Sequence, residues 1–324
     1  MDAGITTAIP VKVERKSFRK EINRLARTLI IYEILMSIVV IAAAAYVMVQ
    51  YIDMPDELYD SMVNPIFENG WLILAGIILG MFFIVLYRKR ELITDLTAKN
   101  KSMTAKSFVK LFFCMMSAQV IFLVFAFFFE NILNLFGYTA AEAIDSATGA
   151  EVTFSLFMYA AFIGPIAEEI VFRGAALHAL KNHGKLFAIV TSAALFGLFH
   201  ANFTQGVFAF FVGLVLGYVA LEFSWKWAAV LHIINNFVFG EILSKLLEVI
   251  DPSIGDYILP ALYIIFVVGA VITLFIERKN IKQYLSENKT RPLFYLWTFT
   301  SFWMILYILF NVIQAMLGIS VLPS

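Results

Sequence analysis

Nine runs of mostly apolar residues divide the chain, at about 29–52, 71–87, 108–129, 153–181, 186–201, 206–222, 227–246, 257–276 and 295–320. About 20 such residues in a helix cross a hydrocarbon core of about 30 Å. Lipid offers the backbone no water to bind, so a span must pair its own N–H and C=O groups, as a helix does. The expected fold class is therefore all-α, a polytopic transmembrane helical bundle of about 8–9 spans. The fifth and sixth runs are short and are separated only by Asn202–Gln205. Soluble domains are about half apolar and a quarter charged, whereas here 61% of residues are hydrophobic and 15% charged. No basic domain and no glycine-rich phosphate loop interrupts the apolar runs, so nucleic acid is not an expected partner.

Charge orients the spans. The formal net charge is zero, but 23 of the 24 Lys/Arg fall on alternate connections, beginning with the arm before the first run. The intervening segments 53–70 and 130–152 hold five and four acids and no base. Basic loops stay on the cytoplasmic side, which predicts a multi-pass cell-membrane protein with its N-terminus in the cytoplasm and its C-terminus outside. The first run, from about Thr28 to Ile52, is too long for the apolar part of a cleaved signal and reads as a retained anchor. The chain then divides into a cytoplasmic arm (1–28), N-terminal membrane helices (29–151), a polar-bearing core (152–246) and C-terminal membrane helices (247–324). Gly76/Gly80 and Gly213/Gly217 suit close helix approach, and Trp71, Trp225 and Trp227 suit the interface. Cys114, the single cysteine, reads as a small buried hydrophobe.

Packing does not account for the ionisable residues inside spans, which cost about 3 kcal/mol each on insertion scales. The fourth run holds Glu168-Glu169-Ile170-Val171-Phe172-Arg173. Glu169 and Arg173 are four apart and share a helix face. Glu168 points about 100° away from Glu169, so it is freer to face a cavity. Pro165 lies just ahead and removes one helical hydrogen bond, which predicts a kink with room for water beside the carboxylates. The fifth run holds Phe196…His200, and the seventh holds His232…Asn236, four apart on one face. Each motif alone has a plain reading, as an ion pair, a packed histidine or polar glue between helices. Depth joins them. Glu168 and His200 stand at equal separations on either side of Gly184, so an antiparallel hairpin brings them to one level; the turn near Ser224 brings Asn236 to a similar depth, with His232 about one turn nearer the cytoplasm.

Two carboxylates, two imidazoles and an amide at one depth suit hydrolysis, which needs an activated water and donors for a tetrahedral oxyanion. Glu168, His200 and His232 also form the donor set of a catalytic zinc with an open fourth position. The usual zinc signature H-E-x-x-H is absent, so a metal-free glutamate mechanism and a divalent metal both stay open. His178 and His183 fall near the basic turn and read as solvated. Glu33, near the cytoplasmic end of the first span, is expected to snorkel, and Glu222 stands at a span end.

The ordered set E-E-x-x-x-R, F-x-x-x-H and H-x-x-x-N resembles the CAAX protease and bacteriocin-processing family of intramembrane proteases, which includes the type II CAAX prenyl endopeptidases. The likeness covers about 152–246. It implies that Glu168 activates water, that His200 helps bind it, that His232 and Asn236 stabilise the oxyanion, and that Glu169 and Arg173 support the site. It implies a peptide or membrane-anchored protein substrate within the lipid bilayer. It also admits a second class, a non-proteolytic membrane regulator or bacteriocin self-immunity protein that keeps the fold. A transporter, a third class, is expected to show paired broken helices in two related halves, and the sequence has none.

Overall fold

The computed structural model describes residues 11–50, 61–62, 65–66, 69–98, 100–148, 153–250 and 252–322, and these are overwhelmingly helical. In chain order the helices are α1 (Val11–Gln50), α2 (Gly70–Arg88), α3 (Arg90–Leu96), α4 (Ala105–Leu135), α5 (Ala141–Thr148), α6 (Phe154–His183), α7 (Lys185–Phe199), α8 (Phe203–Glu222), α9 (Trp225–Leu247), α10 (Pro252–Glu287), α11 (Pro292–Phe299) and α12 (Phe302–Leu317). Two short strands, β1 (Tyr138–Thr139) and β2 (Ser320–Val321), pair antiparallel. The chain is a polytopic helical membrane protein.

Polar contacts sort the helix ends into two sets. At the base-rich end, Lys101 and Lys185 each approach the buried Glu222 at 2.7 Å, and Tyr284 donates to the same carboxylate at 3.2 Å. Nearby, Arg88 and Lys181 both bind Asp95, His183 binds Glu21, and Arg291 binds Glu14. Burial alone would raise the Asp95 carboxyl, but Lys181, His178 and Arg88 outweigh it and hold the group below its ordinary value. At the opposite end β1 meets β2, and Asn202 Nδ2 donates to the Ala143 carbonyl at 2.7 Å.

The nine apolar runs are all found as helix, but not as nine full-length spans. Seven helices are long and apolar enough to cross a membrane, or eight if α11 and α12 count as one span. The remaining run, α7, has 15 residues. Gly184, at φ 126°, starts it, and the turn through Ala201, at φ 47°, stops it before Asn202 caps α8. Even so, α7 links the Glu222 cluster to the Asn202 turn, so it traverses the bundle. The last run breaks at 300–301 by 66°. Thr298, Thr300 and Ser301 turn their hydroxyls back onto the carbonyls of Phe294, Leu296 and Trp297. Such back-bonding competes with helix propagation. Asn23 of α1 then accepts from Trp303 N–H at 2.8 Å and restarts the chain as α12.

Three expectations for charged side chains are corrected. His178 is buried, its ring 2.5 Å from the Arg173 carbonyl. His183 lies edge-on to Phe18 as well as on Glu21, so it is a packing residue. Glu33 does not snorkel: it is buried against α12, because α1 begins well before the apolar run and sets Glu33 deeper in the bundle.

Close approach of α1 and α2 depends on glycine. A Cβ on Gly76 would lie 1.9 Å from the Met36 carbonyl oxygen, whereas one on Gly217 would meet nothing nearer than 3.4 Å. Thermal unfolding in detergent should therefore separate them. Gly76→Ala is expected to cost about 1–3 kcal/mol or more through overpacking, and Gly217→Ala to be neutral or stabilising by up to about 1 kcal/mol through helix propensity. Equal midpoints for the two variants would contradict this packing.

Candidate active site

The helices that carry the motifs are wound unevenly. Tyr159–Ile163 and Glu169–Leu177 of α6, and Ile234–Ile242 of α9, form wide π turns. Such turns recur where a helix serves a site. In the first, Gly164 N–H donates to the Tyr159 carbonyl, five residues back. The next donor in that register would be residue 165, a proline without an N–H. The Ala160 carbonyl left without it accepts from Asn236 Nδ2 at 3.0 Å. The room expected beside Pro165 is thus occupied by a carboxamide. Asn236 Oδ1 accepts from Asn235 Nδ2 at 3.0 Å, and Asn235 Oδ1 accepts from Gln119 Nε2 at 3.2 Å. This chain of amides ties α4, α9 and α6 together.

One turn away, the acids and bases meet. Glu169 and Arg173 are fully buried, with Nη1 3.1 Å from Oε1. The guanidinium carbon lies 4.3 Å from the Phe196 ring centre. None of the three Arg173 guanidinium nitrogens makes an aligned hydrogen bond among the described residues, so charge and the ring face hold it. His232 Nδ1 is 3.0 Å from the same Glu169 oxygen, and its Nε2 is 3.6 Å from Glu168 Oε2.

Glu168 differs from its neighbour: its side chain is 14% exposed, against 0% for Glu169. It lies within electrostatic reach of His200, Arg173 and Tyr32. His200 turns Nδ1 to the Phe196 carbonyl at 2.8 Å, which fixes the tautomer with Nε2 as acceptor. Both imidazoles meet Phe196 nearly at right angles, at 4.8 and 5.7 Å between ring centres. Arg173, His200 and His232 therefore contact one phenylalanine, Glu168 and Glu169 flank His232, and Asn236, one turn on from His232, bonds the Ala160 carbonyl.

The donor set expected for a metal does not close. Among the described residues no three His, Cys, Asp or Glu side chains converge on a common point. His232 faces a carboxylate on each side, and His200 Nδ1 is taken up by a carbonyl. Sequence reasoning missed Gln119 and Tyr32. Gln119 is a polar residue in an otherwise apolar run, which was a readable signal. Tyr32 gave none.

The proline–amide exchange is testable. Asn236→Ala is expected to lower stability by about 1–3 kcal/mol, the usual cost of an orphaned buried acceptor. Adding Pro165→Ala returns an N–H at residue 165 and is expected to recover part of that loss, measured by thermal unfolding. Additive losses in the double variant would contradict the exchange.

Residues 150–238 match the family model for type II CAAX prenyl endopeptidase Rce1-like proteins. No curated protein and no solved structure matches the chain. The matched segment contains Glu168, Glu169, Arg173, His200, His232 and Asn236, carried on helices of a multi-pass membrane bundle. Over this segment, about a quarter of the chain, the protein is similar to the CAAX protease and bacteriocin-processing family of intramembrane proteases.

Proposed function

We propose that the protein is an intramembrane endopeptidase that hydrolyses peptide bonds of a membrane-associated protein or peptide, with Glu168 as general base. The observation that carries this reading is the division of labour in the glutamate pair. Glu169 is sealed by Arg173 and His232, whereas Glu168 is reachable and faces His232 Nε2. A carboxylate whose neighbours are already paired is available to take a proton.

The steps follow from the side chains. Water held between Glu168 and His200 Nε2 loses a proton to Glu168 as its oxygen attacks the peptide carbonyl. The carbonyl oxygen becomes an oxyanion, which His232 and Asn236 stabilise while Glu169 holds the His232 ring in place. Asn236 has two N–H bonds, one directed at Ala160; the other serves the oxyanion. When the C–N bond breaks, Glu168 returns its proton to the leaving amine. Preorganised donors of this kind are worth more in a dry site than in water. We propose further that the N-terminus lies in the cytoplasm and the protein in the cell membrane. The concentration of Lys and Arg at alternate ends of the apolar runs supports this, as does the gathering of basic residues around Glu222, Asp95 and Glu21.

The test is Glu168→Gln, which keeps shape and hydrogen bonding but cannot accept the proton. In liposomes carrying membrane-anchored peptide substrates, cleavage is expected to fall by about 10²–10⁴-fold, with expression and fold retained. Unchanged cleavage would remove Glu168 as base. A cellular phenotype kept by Glu168→Gln, His200→Ala and His232→Ala alike would favour the non-proteolytic regulator instead.

A further inference from the structure

A second buried acid lies outside this site. Glu33 belongs to α1, about 14 Å along the helix from Arg24 at the base-rich end. It is 5% exposed, and its partner Asn311 on α12 is 2% exposed. Asn311 Nδ2 donates to Glu33 Oε2 at 3.2 Å and to the Tyr307 carbonyl at 3.1 Å, so both amide N–H bonds are engaged. Two buried acceptors are then left over among the described residues, Glu33 Oε1 and Asn311 Oδ1. Rotating the amide would not help, because Oδ1 would then face two acceptors. The groups that face Glu33 are Tyr307 and Asn311 from α12 and Tyr32 from α1 itself. The Tyr307 hydroxyl donates to the Leu195 carbonyl of α7 at 3.0 Å and also lies within hydrogen-bond reach of Glu33, so its one proton is contested by two acceptors. Among the described residues no Lys, Arg or His forms an ion pair with Glu33.

An ionised carboxylate here would carry a bare charge in an apolar interior, which is far costlier than a neutral acid with its hydrogen bonds made. A single hydrogen shared between the two orphaned oxygens would satisfy both. We propose that Glu33 is a resident proton site. The carboxyl stays as the neutral acid, and Glu33 and Asn311 close a two-bond acid–amide ring that clasps α1 to α12. One bond of the ring is the Nδ2-to-Oε2 contact. The other is donated by the acid's own O–H to Asn311 Oδ1. No bond to carbon changes, and the proton is taken from bulk water during folding.

The ring makes an unusual expectation for Glu33→Gln. The glutamine amide reproduces both bonds, donating to Asn311 Oδ1 and accepting from Nδ2. Infrared difference spectra of E33Q against the unaltered protein, in nanodiscs at pH 7, are expected to show loss of a protonated-carboxyl C=O band and no loss of carboxylate bands. The unfolding midpoint of E33Q is expected to equal that of the unaltered protein, whereas Asn311→Leu lowers it by several degrees. Midpoints are expected to be the same in sodium chloride and choline chloride. Loss of a carboxylate band in E33Q would overturn the proposal. So would an E33Q protein that fails to fold. A sodium-dependent midpoint abolished by E33Q would also overturn it, by assigning the two acceptors to a cation.

Discussion

Arg173 has no exposed side-chain surface in the interior of an apolar bundle, and the arrangement of the site follows from that one burial. Its charge is balanced by Glu169 and rests on the face of Phe196. Leaving one member of such a pair uncompensated costs about 3–5 kcal/mol, although the intact pair adds little net stability. The pair is better understood as a fixed point. Glu169 orients His232, Phe196 carries both imidazoles, and adjacency in the chain obliges Glu168 to point elsewhere. A partly exposed carboxylate, Glu168, thus stands next to one that is fully enclosed, with His232 between the two.

The π turns belong to the same logic. A regular α-helix through Pro165 would orphan a carbonyl in the bundle interior, where no water replaces the lost donor. Widening the turn shifts the orphan to Ala160, within reach of Asn236. The helix defect and the asparagine therefore explain each other. The second wide turn brings the Arg173 carbonyl to the His178 ring, and Ser192 Oγ of α7 reaches the Phe172 carbonyl at 2.8 Å. Polar side chains from neighbouring helices satisfy an irregular backbone, as irregular backbone at membrane depth requires.

Much of this was legible in the sequence, for identifiable reasons. Apolar runs and the alternation of Lys and Arg report on solvent rather than on partners, so the helical membrane fold could be read without knowing any contact. The three motifs carry the family resemblance because their order and spacing survive in one dimension. The 100° step between Glu168 and Glu169 told which carboxylate would be the freer. What failed depended on contacts between distant segments. Glu33 was set too near the surface because α1 extends beyond its apolar run. His178 stands near the basic turn in sequence, where solvent is expected, but the wide turn sets its ring on the Arg173 carbonyl in the interior. The Ala160–Asn236 bond requires the register of a π turn, which no periodicity announces. The break at 300–301 was prefigured by Thr298, Thr300 and Ser301, but their hydroxyls act only once they turn back on the helix.

The central claim is that Glu169, Arg173 and His232 act as one unit that fixes the site. A double-mutant cycle on Glu169→Gln and Arg173→Met, read by thermal unfolding in detergent, tests it most directly. Each single change strands a buried charge, whereas the double change removes both charges at once. The expected coupling is on the order of 3 kcal/mol, at the upper end for interacting neighbours, with the double variant more stable than either single one. Additive losses within about 0.5 kcal/mol, as for independent sites, would mean that the pair does not hold the site.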